Sequence, residues 1–223
     1  MLELPYYKAK QVSVNRKRHY EIEGHCYPGI TSILSATKPY EEKKRLWDWQ
    51  DRIGKDEARK ITTRSSRSGT RINKIIKSHL KQEPYELPEG LDGFWNSIEP
   101  VLAAIDEVLL VEGAVWHPLK FAGYPDAVMM YEGELCVCDW KTARRPKQLE
   151  WIGDYCMQVA AYCYAVNWVY RETGIQIEKG VIAIALEDHP AQVFTLDADD
   201  LFYHWRNFQA RLRQYYRQRL VGR

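Results

Sequence analysis

The sequence predicts an α/β fold: a mixed central β-sheet flanked by helices, with an N-terminal helical region before it. The hydrophobic period changes from helical to strand-like near residue 109. The turn signal Glu132-Gly133 lies between two strand-like runs and joins them as a tight hairpin. From there the order is three strands, a long helix, a further strand and a terminal helix, which suits helices on both faces of one sheet.

Each element has its own signal. Residues 11–27 alternate as a hairpin that turns near Asn15-Arg16-Lys17. Pro28-Gly29 is a turn, and Thr31 is the expected cap of a short helix, Ser-Ile-Leu-Ser. Residues 40–60 carry Leu46, Trp49 and Ile53 at helical spacing. Ser66 or Ser68 is expected to cap another helix that runs to about Lys81, striped by Ile72, Ile75, Ile76 and Leu80 and ended by Pro84 and Pro88. Residues 91–108 repeat the helical pattern through Phe94, Ile98, Val101, Leu102 and Ile105. Leu109 to Trp116, Phe121 to Tyr131 and Glu134 to Trp140 read as strands. A helix is expected from about Gln148 to Arg171, an apolar strand from Gly180 to Leu186, and a last helix from Asp197 to Arg219 with Leu201, Trp205, Phe208, Leu212 and Tyr215 on its apolar face. The chain reads as one domain over 1–223, with a hairpin and helical region at 1–108 and the α/β core at 109–223.

Apolar residues make up 45% of the 223, enough for a sizeable core. No run of apolar residues is long enough to predict a membrane span. The N-terminal residues carry neither the apolar stretch of a secretory signal nor the Arg- and Ser-rich character of a transit segment. Cysteines number five, without zinc-type C-x-x-C spacing. Buried free thiols and a cytoplasmic protein are therefore expected, in the host cytoplasm if a phage encodes it. The formal net charge is only +2, yet it is unevenly spread. Between Glu57 and Glu83 no acidic residue interrupts Arg59, Lys60, Arg64, Arg67, Arg71, Lys74, Lys77 and Lys81. That pattern suggests a local polyanion surface.

Gly123-Tyr124-Pro125-Asp126 and Cys138-Asp139-Trp140-Lys141 carry the chemistry. Asp126 and Asp139 lie at similar distances on either side of the Glu132-Gly133 turn, so the hairpin brings them opposite one another. Lys141 lies two residues beyond Asp139, on the same strand face. Two carboxylates, with the backbone carbonyl of Trp140 beside them, suit a divalent cation. Such an ion polarises a phosphate and lowers the pKa of a bound water, while a lysine orients the water or offsets charge on the phosphate. The plain alternative is a surface strand with ordinary charges. Val137, Cys138 and Trp140 around Asp139 argue against it, because buried carboxylates are uncommon unless paired or metal-bound. Gln158 and Tyr162 share a helix face, with Tyr155 one turn earlier, and can hold the lysine or a scissile phosphate.

Asp126, Asp139-Trp140-Lys141 and Gln158-Val159-Ala160-Ala161-Tyr162 together resemble the PD-(D/E)XK nuclease superfamily. The Gln-x-x-x-Tyr element points to its RecB-like branch, and within it to the mitochondrial genome maintenance exonuclease group and its phage and bacterial relatives. Glu112-Gly113-Ala114-Val115-Trp116-His117 and the run Tyr131 to Thr142 carry the likeness further. The resemblance implies a restriction-endonuclease-like core and an exonuclease that uses Mg²⁺ or Mn²⁺ on single-stranded DNA with free ends. It implies that Asp126, Asp139 and the Trp140 carbonyl bind metal and that Lys141 assists the water. Many relatives end a Gly-x-x-x-His element with a metal-binding His; here Gly69-Thr70-Arg71-Ile72-Asn73 ends in Asn, a weaker ligand for Mn²⁺. Glu112 matches an acidic position of the group and is expected to support the site from outside.

Arg67, Arg71, Lys74 and Lys81 form a helical stripe beside the Asn73 face, read as a ridge that grips DNA phosphates near the metal. Tyr40, Trp47 and Trp49 are expected to be core, with base stacking as the alternative. An endonuclease, or a binding module that has lost catalysis, are the competing functions.

Overall fold

The computed structural model describes residues 4–221. β1 (Lys10–Val14), β2 (Lys17–Ile22) and β3 (His25–Pro28) form a separate antiparallel three-stranded sheet. The β1–β2 turn puts Asn15 and Arg16 at φ 52° and 60°, the left-handed pair that a two-residue hairpin requires. Glu23 and Gly24 make a second such turn, so the expected hairpin gains a third strand. α1 (Ile30–Ala36) starts after Gly29, and Thr31 lies inside it instead of capping it.

α2 (Tyr40–Ile53) and α3 (Lys55–Leu80) are separated at Gly54, which sits at φ 87°. α3 is one continuous helix of 26 residues, so Ser66 and Ser68 are interior and cap nothing. The serines and Gly69 lower helix propensity without removing a backbone donor, and packing of Ile72, Ile75 and Ile76 overrides them. α2 buries no residue; Tyr40 and Trp47 are exposed, with rings 6.2 Å apart edge to face, and Trp49 is half-buried. Their expected place in the core is not found.

α4 (Asp92–Ala103) is shorter than expected, because Ile105 leaves the helix to pair with Tyr131. β4 (Ile105–Val111) and β5 (Val115–His117) divide the first expected strand at Glu112, whose φ is 50°. β6 (Phe121–Gly123) and β7 (Ala127–Tyr131) divide the second around Pro125, which has no N–H for a ladder. β5 and β6 pair as a small ribbon outside the main sheet.

β8 (Glu134–Ala143), α5 (Gly153–Val169) and β9 (Lys179–Leu186) form a parallel crossover. β10 (Gln192–Leu196), absent from the sequence expectation, pairs antiparallel at the edge, and α6 (Ala198–Val221) closes the described chain. The five-stranded sheet runs β10-β9-β8-β7-β4, with β8–β9 as its parallel pair. The architecture is therefore mixed α/β, with a helix layer on each face. Val128, Val137, Ile182 and Ile184 pack under α1, α5 and α6. Met129, Cys136, Cys138, Trp140, Val181 and Ala183 pack under α3 and α4. Strict alternation along β8 and β9 thus feeds two cores from one sheet. Cys136, Cys138, Cys156 and Cys163 are buried free thiols, whereas Cys26 is exposed. No described helix is long and apolar enough to cross a membrane.

Candidate active site

The site forms where β7 stops and β8 continues. The last rung of their ladder is Ala127 opposite Cys138. Two residues earlier Pro125 has no N–H with which to extend it, and the Asp126 carboxylate takes over: its Oδ2 accepts the Trp140 N–H at 2.7 Å. An extended residue aims its N–H and C=O at the same strand edge. The Trp140 carbonyl therefore faces the edge that Asp126 occupies. Trp140 itself is buried in the opposite core, which fixes the register of β8 beneath the site.

Asp139 and Lys141 project from β8 to the α5 side, as period two demands. Asp139 is 2% exposed and forms an ion pair with Lys141. Gln158 on α5 donates from Nε2 to Asp139 Oδ1 at 2.9 Å, with the Tyr162 hydroxyl 3.4 Å away. Gln158 and Tyr162 are both largely buried and brace the carboxylate from the floor of the cleft that they help line. The lysine rests instead over the Tyr155 ring, 5.1 Å from its centroid. Gly123 makes room for the brace: a Cβ there would lie 2.7 Å from Tyr162 Cε1.

α3 crosses close over the end of β8, where a Cβ on Gly69 would sit 3.0 Å from Thr142 Oγ1. One turn on, Asn73 points into the same cleft, and its buried Oδ1 has no hydrogen-bond partner. Glu112 also lines the cleft and is ion-paired with Lys77 of α3. Asn73, Glu112, Asp126, Asp139, Lys141, Gln158 and Tyr162 are thus brought together. Arg67, Arg71 and Lys74 are not. Arg67 and Arg71 line a neighbouring cleft with Arg59, Lys60, Arg64 and Arg144, and Lys74 lines a third beside Tyr85. The basic stripe therefore faces the α4 side of α3, away from the Asn73 side. His79, with its ring 5.4 Å from that of Trp95, also lies outside the site.

Sequence reasoning missed the wall opposite these residues. Ala9, Gln11, Arg18, Tyr20, Thr31 and Tyr124 line the same cleft. The alternation of β2 put Arg18 and Tyr20 on one face, but nothing local said which core that face would meet.

Electrostatics mark the cleft. Burial raises the Asp126 carboxyl to about 7, and the nearby Asp139 carboxylate adds to the rise against the pull of Lys141. Burial likewise raises Asp139, opposed by Lys141. Burial would lower the Lys141 ammonium, but Asp139 and Asp126 outweigh it and its pKa rises. Buried Asp139 and half-buried Asp126 face one lysine, so negative charge is left uncompensated once both carboxylates are ionised. Among the described residues no three His, Cys, Asp or Glu side chains gather as a metal cluster. The available donors are two carboxylates, the orphan Asn73 amide oxygen and the Trp140 carbonyl. This all-oxygen set has the chemistry that Mg²⁺ or Mn²⁺ takes, so the residues present fit such an ion.

The fold and cleft define a mixed α/β protein with a cleft that gathers two carboxylates and a lysine. Mitochondrial genome maintenance exonuclease 1 of Mus musculus is 32% identical over 205 residues, which cover 87% of this chain and 60% of that protein. The Homo sapiens protein of the same name is 29% identical over 205 residues, covering 87% and 59%. The chain thus resembles this exonuclease group along most of its own length, and it spans about 60% of the length of these curated relatives. Among solved structures, a candidate exonuclease from Eubacterium rectale aligns with a TM-score of 0.46 at 12% identity, covering 67% of this chain and 66% of that one. No family model matches the chain.

Proposed function

We propose that this chain is a metal-dependent DNA exonuclease, preferring single strands with free ends and working in DNA replication, recombination or turnover. The observation that carries the reading is the convergence of Asp126, Asp139, Lys141 and the orphan Asn73 oxygen in one cleft. The name of the relatives, an exonuclease of genome maintenance, supports it.

In this reading Asp126, Asp139, Asn73 and the Trp140 carbonyl hold the cation. Mg²⁺ or Mn²⁺ bound there offsets phosphate charge and lowers the pKa of water. The chain's own residues do the rest. The Trp140 N–H and the Gln158 amide fix the two carboxylates before any substrate arrives, so little reorganisation remains. Lys141 keeps its proton at neutral pH, because carboxylates surround it. It acts as a donor to a phosphoryl oxygen or to the attacking water, and not as the base. Tyr155 supports the ammonium from below.

End-labelled linear single-stranded DNA, digested beside a covalently closed circle with Mg²⁺, Mn²⁺ or chelator, tests the function. Metal-dependent loss of the linear strand alone is expected. Cutting of the circle replaces the reading with an endonuclease, and binding without cleavage in either metal replaces it with a binding module.

Asn73→His is expected to raise Mn²⁺-supported activity about 3- to 10-fold over wild type, since imidazole binds Mn²⁺ better than a neutral amide oxygen. Initial rates across a Mn²⁺ titration check this. Superimposable titrations would remove Asn73 from the metal site.

A further inference from the structure

The hydrolytic residues do not account for the opposite wall of the cleft, which belongs to the N-terminal sheet. Gln11 pairs with Tyr20 across β1 and β2, and Arg18 is two residues from Tyr20 on the same strand, so the three share a face. That face is tied to the body of the protein. Tyr20 is buried against Ala114 and Ala122, and its ring lies 5.3 Å from that of Tyr124. The Tyr124 hydroxyl donates to the Ala9 carbonyl at 3.0 Å and accepts the Ala9 N–H at 2.7 Å. The Arg18 carbonyl accepts from the Gly29 N–H at 3.0 Å and from the Ser32 hydroxyl at 3.1 Å. The backbone of Arg18 is therefore held in place while its side chain stays exposed to the cleft.

Charge then singles Arg18 out. The cations that line the cleft are Arg18 and Lys141. Lys141 is committed to Asp139, whereas Arg18 forms no ion pair among the described residues. A DNA strand carries one negative charge per nucleotide into a cleft that already holds Glu112, Asp126 and Asp139. The phosphate beside the scissile one needs a cation of its own, and a guanidinium meets a phosphate with two parallel hydrogen bonds.

We propose that Arg18 binds the strand phosphate next to the one being cleaved, which makes the N-terminal sheet a wall of the substrate site. This rests on the nuclease reading above. The test uses Arg18→Ala and Arg18→Lys with single-stranded oligonucleotides and with the minimal substrates TpTpT and TpT, which carry two phosphates and one. For Arg18→Ala on oligonucleotides, KM is expected to rise about tenfold. The salt dependence of binding should fall by about one unit of slope. kcat should stay within about twofold of wild type, and Arg18→Lys should recover part of the loss, because a point charge replaces a fork. The penalty should persist on TpTpT and vanish on TpT. Wild-type KM and salt slope in Arg18→Ala, or an equal penalty on both minimal substrates, overturns the assignment. Thermal unfolding of each variant shows whether the fold is kept. Oligonucleotide binding in chelator separates the two readings. If wild type binds but never cleaves, the nuclease reading fails, and an unchanged slope in Arg18→Ala removes Arg18 as well.

Discussion

Lys141→Ala is expected to lower the cleavage rate by about 100- to 1,000-fold, the usual cost of removing one preorganised donor to transition-state charge. Lys141 stands over Tyr155 and against Asp139, with no second cation paired to that carboxylate among the described residues. Arg18 lines the far wall and cannot take its place. DNA affinity should stay within a few-fold, because Lys141 is already ion-paired before the strand enters. Single-turnover cleavage of an end-labelled strand, together with fluorescence anisotropy of the same strand, separates the two effects. A variant that cleaves at the wild-type rate removes Lys141 from the chemistry. Loss of cleavage and binding together would make it a binding residue instead.

Asp126→Asn should stabilise the metal-free protein at neutral pH while abolishing activity. Burial and the neighbouring carboxylate hold the folded pKa of Asp126 near 7, above the ordinary 3.8. A carboxyl with a raised folded pKa keeps its proton better in the folded state. Between those two values the folded chain binds more protons than the unfolded one, so this group's contribution to stability falls as pH rises. The loss is complete above about pH 7. Asparagine is neutral throughout and still offers an oxygen to the Trp140 N–H. The expected gain without metal at pH 7.5 is about 1–3 kcal/mol, taking less than the full 1.36 kcal/mol per pKa unit because Lys141 and Asp139 share the site. It should shrink toward zero near pH 4. At this chain length the gain corresponds to a rise in Tm of about 2–12 °C. Thermal melts of both proteins in chelator across that pH range check the prediction. A Tm difference that does not change with pH would contradict the electrostatic account.

Asp126, Asp139 and Lys141 were legible as a cluster because strand geometry is simple. A period of two put Asp139 and Lys141 on one face, and symmetry about Glu132-Gly133 put Asp126 opposite. Helical spacing joined Gln158 to Tyr162, but it could not say that the amide would brace Asp139. Fold class followed from the order of elements, whereas boundaries failed where long-range pairing decided them. Ile105 continues a helical stripe, yet Tyr131 draws it into a strand. Gln192–Leu196 is short and only partly buried at the sheet edge, so it left little pattern to read. Helical period shows which residues share a face, not what covers that face. Tyr40 and Trp47 were therefore expected in the core and stand exposed. The acid-free window around Arg67, Arg71 and Lys74 was visible, but its direction depends on how α3 crosses β8 at Gly69, a contact between distant parts of the chain. Arg18 was unreadable for the same reason, because the wall it belongs to exists only once the N-terminal sheet docks.

In the proposed function Asp126 and Asp139 hold a divalent cation where Lys141 meets the phosphate. Calorimetric titration of Mn²⁺ into wild-type protein and Asp139→Asn, without DNA, tests it most directly. Saturable binding is expected in wild type, weakened at least about tenfold in the variant, since an oxygen remains but its charge does not. Equal Mn²⁺ affinity in the two proteins would contradict it and move the metal, and with it the chemistry, away from this cleft.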